Sequence, residues 1–231
     1  MKPILFNTAM VQAILEGRKT CTRRVVKGNV KDLNVIGISS NDGVNFNSVS
    51  FGYGNINDIN SVEIKERVKA PYMPGDILYI RETWKQYEKR MGSGEQCHLK
   101  KFFGYKADED NPNNPSEFYE GNWKPSIHMP KDAARIFLKV TDVRVERLSD
   151  MEEEDYFKEG VRTYTKDGKV NKFAVNEDQY NWKDMPRNIQ KPFFDLWNST
   201  LKKEQLNQYG WNANPWVWVI EFERCEKSVD K

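Results

Sequence analysis

The chain has few residues that could bind a metal ion or pair in disulfides. Its 231 residues include three cysteines, Cys21, Cys97 and Cys225, and two histidines, His98 and His128. An odd number of widely spaced cysteines argues against a disulfide framework. A metal site needs several His, Cys or carboxylate ligands at suitable spacings, which Cys97 and His98 cannot supply alone. We therefore expect neither a bound metal nor another cofactor.

The sequence also lacks a large net charge and long apolar runs. It has 36 basic and 34 acidic residues, for a net charge of +2, whereas proteins that hold long duplexes through many phosphates are strongly basic. Any nucleic-acid contact should therefore be local, or the ligand should be small. No segment approaches the roughly 20 apolar residues that span a bilayer, and residues 1–7 are too short for a secretory signal. These absences predict a cytoplasmic protein without a membrane partner.

Common catalytic motifs are missing as well. The chain has no Gly-rich phosphate loop of the P-loop kind. It has no G-x-S-x-G turn that would present a nucleophilic serine. Cys21 has no neighbouring histidine in the sequence, which argues against a cysteine-based triad. Function must therefore be sought in other polar segments.

The most distinctive segment is residues 17–24, GRKTCTRR, which follow a short amphipathic run. Apolar residues recur at helical spacing over residues 9–16, so we expect a helix there with Thr8 as its N-cap. Gly17 should end this helix, because glycine adopts the left-handed cap conformation without steric cost. A strand over residues 20–26 should follow.

Strand alternation divides the polar side chains of this segment between two faces. Lys19, Cys21 and Arg23 share one face, and Thr22 and Arg24 share the other. Four cations and two hydroxyls within seven residues are poor material for a core. The segment is therefore either a solvated cationic turn or part of a binding site.

The rest of the chain predicts short strands, few helices and polar insertions. We expect strands at 3–6, 77–80, 102–107, 136–145 and 216–223, a loop at 108–121, and helices at 151–159 and 187–203. Polar stretches indicate insertions at about 28–70, 86–101 and 162–185, the first with short strands at 35–38 and 44–49. This pattern predicts one domain over residues 1–231 with an α+β fold, a small open β-barrel with flanking helices.

Polar and aromatic residues near the ends of predicted elements form a further set of candidates. Trp84 and Trp123 can stack on a nucleobase while nearby donors read its edge, but both can equally be core rings. His128 can be a structural histidine, and Arg135 can simply pair with an acid. The candidates for base or nucleic-acid binding are Arg18, Arg23, Arg24, Arg81, Glu82, Trp84, Trp123, His128 and Arg135.

Glu159 has an unusual position in the predicted pattern. It lies at the carboxyl end of the helix expected over residues 151–159, where the helix dipole disfavours an anion. An unfavourable position of this kind predicts a partner cation. Lys19 or an arginine would serve.

Residues 15–24 resemble the signature segment of the ASCH domain, a PUA-like β-barrel family. The resemblance continues through residues 74–78, 81–84, 124–130, 134–136, 159–160 and 214–222. The combination is similar to a branch of the family encoded by phages and prophages. It implies a PUA-like (ASCH) fold, a small mixed or antiparallel β-barrel with flanking helices and polar insertions.

The family is thought to bind RNA or modified nucleobases in a cleft beside the barrel. One small bacterial member is an amidohydrolase that removes the acetyl group from acetylated cytidine with a Lys, a Thr and a Glu. The resemblance therefore implies catalytic roles for Lys19, Thr22 and Glu159, with Glu152 to Glu154 as alternatives for the acid. It implies a modified nucleoside or RNA as the partner.

The chemistry of such a trio has a clear physical basis. Amide hydrolysis needs a nucleophile, a base for its proton and an acid for the leaving amine. A threonine hydroxyl is a poor nucleophile until a neutral lysine or a carboxylate withdraws its proton. A lysine becomes such a base only where its surroundings lower its pKa from about 10.4.

Three other functions fit the same residues. The chain can be a binding module that recognises RNA or a modified base without chemistry. It can be a metal-independent ribonuclease, in which Lys19 and Arg23 stabilise phosphate charge. It can also be a phage interaction protein without activity. The oligomeric state is open in each case.

Overall fold

The computed structural model describes residues 1–40, 46–55, 57–109 and 121–227. The predicted α+β class is confirmed, because strands dominate and helices are few. No closed barrel is found among the sheets of these residues. The chain divides into two compact units, the first made of Met1–Glu16, Ile77–Leu138 and Arg224–Lys231, and the second of Gly17–Asp76 and Lys139–Glu223.

Twelve strands and four α-helices are found in the described residues. The strands are β1 (Lys2–Leu5), β2 (Cys21–Val25), β3 (Asn34–Ser40), β4 (Phe46–Tyr53), β5 (Glu63–Lys69), β6 (Ile77–Arg81), β7 (Trp84–Met91), β8 (His98–Tyr105), β9 (Phe137–Arg147), β10 (Arg162–Tyr164), β11 (Lys172–Ala174) and β12 (Trp216–Cys225). The helices are α1 (Thr8–Leu15), α2 (Glu153–Lys158), α3 (Gln190–Ser199) and α4 (Leu206–Tyr209). None of these helices has both the length and the apolar character that crossing a lipid bilayer requires.

In the first unit, β1 and β6 pair in parallel, with Ile4 opposite Ile80. The predicted helix after β1 is present, but its cap differs from the prediction. The side chain of Asn7, not Thr8, accepts the hydrogen bond from the backbone N–H of Met10, at 2.9 Å. Asn7 has the extended backbone of a cap residue, whereas Thr8 is already the first helical residue. The Asn7 side chain is therefore the one that accepts from the N–H of Met10, which has no acceptor within the helix.

The predicted insertion at 86–101 is part of a β-hairpin in the first unit. β7 and β8 pair antiparallel, from Trp84 opposite Tyr105 to Met91 opposite His98. Residues 88–101 are exposed along the whole outer part of this hairpin. Trp84 lies at its base, in a core cluster that includes Met129, Ala133, Ala134 and Phe137. Most of the predicted loop at 108–121, residues 110–120, lies outside the described residues.

In the second unit, β2 pairs antiparallel with β12, with Thr22 opposite Ile220. The first part of β12 is enclosed by the protein. Val217, Trp218, Val219 and Ile220 are all buried, because both faces of the strand are covered there. The acidic residues of the strand, Glu221 and Glu223, follow this buried part.

The predicted insertions of the second unit contain regular structure. β3, β4 and β5 form an antiparallel sheet within the region 28–70, although residues 41–45, part of the predicted strand at 44–49, lie outside the described residues. β10 and β11 form a short two-stranded sheet in the region 162–185. The helix expected at 187–203 is shorter, because α3 ends at Ser199.

Candidate functional site

The distinctive segment 17–24 lies in the second unit, between α2 and β12. Gly17 has a φ of +76°, the left-handed conformation expected of a residue that ends a helix. The backbone N–H of Thr20 donates to the carbonyl of Lys158 at 3.0 Å, and the N–H of Phe222 donates to the carbonyl of Thr20 at 2.9 Å. These two bonds hold the segment beside the carboxyl end of α2.

Lys19 and Glu159 form a buried ion pair at this point. The Lys19 Nζ is 2.5 Å from Glu159 Oε2, and their side chains are 0% and 2% exposed. The same ammonium donates to the backbone carbonyl of Glu159 at 3.0 Å. The partner cation predicted for Glu159 is therefore Lys19.

Arg23 is the second cation of the cluster and is also fully buried. Its Nη1 is 3.5 Å from Glu159 Oε1, and its Nη2 is 3.1 Å from Asp155 Oδ2 and 3.6 Å from Glu146 Oε2. Burial lowers the pKa of Arg23, but Glu159, Cys21 and Asp155 together raise it by more than burial lowers it, so the net change is upward. The Nε of Arg23 is buried without a hydrogen-bond partner among the described residues.

Cys21 lies in the same cluster, with its Sγ 3.8 Å from Arg23 Nη1. Burial is the main cause that raises the pKa of its thiol to about 12; Glu159 adds to this, and Arg23 and Lys19 oppose it. A thiol with such a pKa stays protonated at neutral pH and is a poor nucleophile. Cys21 is therefore a buried structural residue.

The cluster continues along β9 through Glu146 and Arg144. Arg144 Nε is 2.5 Å from Glu146 Oε1, and its Nη1 is 2.7 Å from Glu221 Oε1. Burial lowers the pKa of Arg144, but the hydrogen bonds to Glu146, Glu221 and Asp142 raise it overall. A chain of charged side chains thus leads from the buried Lys19–Glu159 pair, through Arg23 and Glu146, to the partly exposed Arg144.

Thr22 is buried, at 1% exposure, but lies on the other face of β2. Alternation along the strand turns it away from Arg23, which contacts Glu159. Arg24 follows the same alternation as Thr22 and is half-buried. Burial lowers the pKa of Arg24, and the charges of Glu159 and Tyr72 oppose this change.

Arg18, near the start of segment 17–24, contacts the chain just after α2. Its Nη1 donates to the carbonyl of Gly160 at 2.6 Å, so its guanidinium binds the carboxyl end of α2. The placement is electrostatically favourable, because a cation there complements the helix dipole. Arg18 and Arg24 are the half-buried cations of the segment, whereas Lys19 and Arg23 are closed to solvent.

In the first unit, the buried carboxylate of Glu82 pairs with Arg135, whose side chain is 26% exposed. Arg135 donates to both carboxylate oxygens of Glu82, at 2.9 and 3.1 Å. It also donates to both oxygens of Asp108, at 2.5 and 3.1 Å. Burial raises the pKa of Glu82, and Arg135 lowers it less than burial raises it. Arg135 therefore supplies the counter-charge of a carboxylate that is itself closed to solvent.

Tyr105 completes this second cluster. Its ring lies against the guanidinium of Arg135, whose Cζ is 4.0 Å from the ring centroid. Its hydroxyl donates to the carbonyl of Ala133 at 2.6 Å. Burial raises the pKa of Tyr105 to about 12, partly opposed by Arg135.

The other candidates of the first unit have mixed environments. Trp84 is a core ring, at 5% exposure, and its Nε1 has no hydrogen-bond partner among the described residues. Trp123 is half-buried, with the Nζ of Lys85 4.8 Å from its ring centroid. Arg81 donates to the carbonyls of Met129, at 2.9 Å, and Ile127. His128 is exposed.

Five of the candidate residues lie in two clusters. Lys19, Arg23 and Glu159 are in one buried cluster of the second unit, and Glu82 and Arg135 are in another of the first. Sequence reasoning missed the acids that complete these clusters: Asp108, Glu146 and Asp155. Acidic residues are common in the first turn of helices. Nothing in the local sequence therefore marked Asp155 as a residue of the site.

Among the described ranges, no group of three or more His, Cys, Asp or Glu residues is placed to hold a metal ion. No protein-family model matches the chain, and no curated protein or solved structure is significantly similar to it.

Proposed function

We propose that the chain is an ASCH-type protein, with a PUA-like arrangement of its strands, that binds a modified nucleobase at residues 17–24. The observation that carries this proposal is the buried Nε–H of Arg23, which has no acceptor among the residues described. A buried donor without an acceptor costs roughly 1–3 kcal/mol. Because Arg23 is closed to solvent, a base must displace part of the surrounding cluster to reach it, and a carbonyl oxygen or ring nitrogen of the base would then supply the acceptor. Arg18 and Arg24 of the same segment are half-buried, and in this proposal they contact ribose or phosphate.

Arg23→Lys tests the binding step. Lysine keeps a cation near Asp155 and Glu159 but has no Nε–H, so it is not equivalent to arginine here. We expect acetylcytidine, measured by titration calorimetry, to bind at least about tenfold more weakly, or about 1.4 kcal/mol. The matched control is Arg90→Lys on the exposed hairpin, which should leave affinity unchanged. Equal affinity of native protein and Arg23→Lys would contradict the proposal.

A second candidate is hydrolysis of the bound base, favoured by the 2.5 Å distance between Lys19 Nζ and Glu159 Oε2. A proton that passes from the ammonium to the carboxylate leaves a neutral amine, which can take the proton of a hydroxyl. Because Thr22 lies on the other face of β2 from this pair, the scheme requires its side chain to turn toward Lys19 when the substrate binds. The Thr22 hydroxyl then gives its proton to the Lys19 amine and attacks the acetyl carbonyl, and Glu159 gives its proton to the leaving amine. Water then releases acetate, and cytidine is the other product.

Thr22→Val tests hydrolysis, because valine has a similar shape but no hydroxyl. We expect release of cytidine from acetylcytidine, followed by chromatography, to fall at least about 100-fold. Thr22→Ser keeps a hydroxyl and should retain measurable turnover. Unchanged turnover in Thr22→Val would exclude this trio. Binding without turnover in the native protein would instead favour the non-catalytic module, and metal-independent cleavage of single-stranded RNA would favour the ribonuclease.

A further inference from the structure

A cavity of about 430 Å³ lies in the second unit, away from the residues of the proposed base site. It is lined by residues on either side of β11 and before α3. Its lining residues are Lys166, Asp167, Val170, Lys172, Trp182, Lys183 and Arg187. The lining therefore brings four cations and one carboxylate around a single indole.

Lys172 is the residue that distinguishes this cavity from an ordinary basic surface. It is only 9% exposed. Its ammonium donates to the backbone carbonyls of Trp182 and, at 3.3 Å, Lys183. Its Nζ is 5.0 Å from the ring centroid of Trp182. A buried ammonium is normally paired with a carboxylate, yet Lys172 has no ion pair with any residue that the structure describes.

The other three cations also lack counter-ions within the described part of the chain. Lys166, Lys183 and Arg187 are exposed and form no ion pair with a described residue. Asp167, the one acid of the lining, accepts hydrogen bonds from the backbone N–H groups of Lys169 and Val170, at 3.0 and 3.3 Å. Its carboxylate is used to hold a turn. The lining of the cavity thus has an excess of positive charge, and none of its four cations is in an ion pair with a described residue.

Trp182 and Val170 give the same cavity an apolar part. The indole is half-buried, and the Nζ of Lys166 is 4.9 Å from its ring centroid. An exposed cation–π contact of this kind is worth only about 0.5–1 kcal/mol. Lys166 can therefore exchange it for a phosphate oxygen, and a nucleobase can take its place against the indole. Arg187 adds a planar fork of donors that suits phosphate.

From these observations we propose that this cavity is a second ligand site, which binds the phosphate ester of a nucleoside. The four cations bind the phosphate, and Trp182 and Val170 contact the base. The volume is in the range of small-molecule pockets, about 300–1,000 Å³, so the site accommodates more than an inorganic ion. The nucleotide is either free or the 5′-phosphorylated end of an RNA strand.

The test compares cytidine 5′-monophosphate, cytidine and inorganic phosphate in titration calorimetry with the full chain. We expect the nucleotide to bind at least tenfold more tightly than either of the others. In Lys183→Ala/Arg187→Ala its affinity should fall at least tenfold, because two phosphate donors are lost. The control Lys27→Ala/Lys203→Ala removes two exposed cations elsewhere in this unit and should bind as the native protein does.

Trp182→Phe provides a local readout. Nucleotide should change the fluorescence of the native protein, and this change should be lost in Trp182→Phe if the base lies against the indole. Binding by a short RNA only when it carries a 5′-phosphate identifies the strand end, and binding of the mononucleotide alone identifies the free nucleotide. The proposal is overturned if no nucleotide binds, if inorganic phosphate binds equally well, or if the cavity variants bind as the native protein does.

This site and the proposed base site can fail separately. Arg23→Lys leaves the Trp182 cavity unaltered and should bind cytidine 5′-monophosphate there normally. Lys183→Ala/Arg187→Ala should leave the binding of acetylcytidine, which has no phosphate, unchanged. If either variant lost the binding of both cytidine 5′-monophosphate and acetylcytidine, the two sites would not be independent.

Discussion

Replacing Glu159 with glutamine is expected to lower the free energy of unfolding by about 3–5 kcal/mol. Glutamine keeps the size of the side chain and its acceptor oxygen but removes the negative charge. Lys19 and Arg23, whose side chains are 0% exposed, would then lose the carboxylate that balances their positive charges in a buried site. Urea unfolding followed by circular dichroism measures the loss.

Glu154 supplies the matched control on the same helix. Its side chain is 76% exposed and pairs with Lys158 at 2.9 Å. Exposed pairs of this kind contribute little, so Glu154→Gln should cost less than about 0.5 kcal/mol. Adding Lys19→Met to Glu159→Gln should recover part of the loss, because one uncompensated cation is removed. Equal stability of Glu159→Gln and Glu154→Gln would show that the buried pair does not contribute as expected.

Arg135→Met is expected to destabilise the first unit by a similar amount, about 3–5 kcal/mol near neutral pH. Methionine fills much of the same space but cannot donate to Glu82, which is 1% exposed and accepts two hydrogen bonds from Arg135. The Glu82 carboxylate would then face Asp108 without a cation between them. Chemical unfolding of the full chain, monitored by the fluorescence of its tryptophans, measures the change.

The loss in Arg135→Met should depend on pH in a defined direction. Burial already raises the pKa of Glu82 above its ordinary value of 4.5, and removing Arg135 removes the main influence that lowers it. Above pH 4.5 the folded variant therefore holds a proton that the unfolded chain releases, so stability falls as pH rises through this window. Arg135→Met should be less destabilised at about pH 5 than at pH 7.

The double variant Glu82→Gln/Arg135→Met separates this effect from lost packing. It has no carboxylate at position 82, so the extra pH dependence should disappear while any packing loss remains. If the free energy of unfolding of the double variant still falls with rising pH, the titrating group is not Glu82. Absence of a slope in Arg135→Met would contradict a raised pKa for Glu82.

Local signals in the sequence predicted several features correctly. Apolar spacing predicted α1, and the glycine that follows predicted its end, because only glycine takes φ of +76° without strain. The anion at the carboxyl end of α2 predicted a partner cation for Glu159. Each of these signals depends on residues within one or two helical turns, which is why sequence alone carries it.

The β7–β8 hairpin shows where such signals fail. Residues 88–101 are exposed on both faces, so no apolar alternation marks the two strands. β12 was predicted as a strand and is present, although its residues from Val217 to Ile220 are buried on both faces. Period-two patterns identify strands with one covered face, and the outer part of the β7–β8 hairpin has no covered face.

The sequence by itself determined the α+β class, the helix-to-strand turn at residues 17–24 and the need for a cation beside Glu159. Only the tertiary structure decided that Lys19 is that cation and that Arg23 shares its carboxylate across 136 positions of sequence. It also decided that Arg135 pairs with Glu82, 53 positions away, and that Lys172 is buried without a counter-ion among the residues that the structure describes. Charges are paired or left unpaired by how strands and helices pack, and no local pattern of residues encodes that packing.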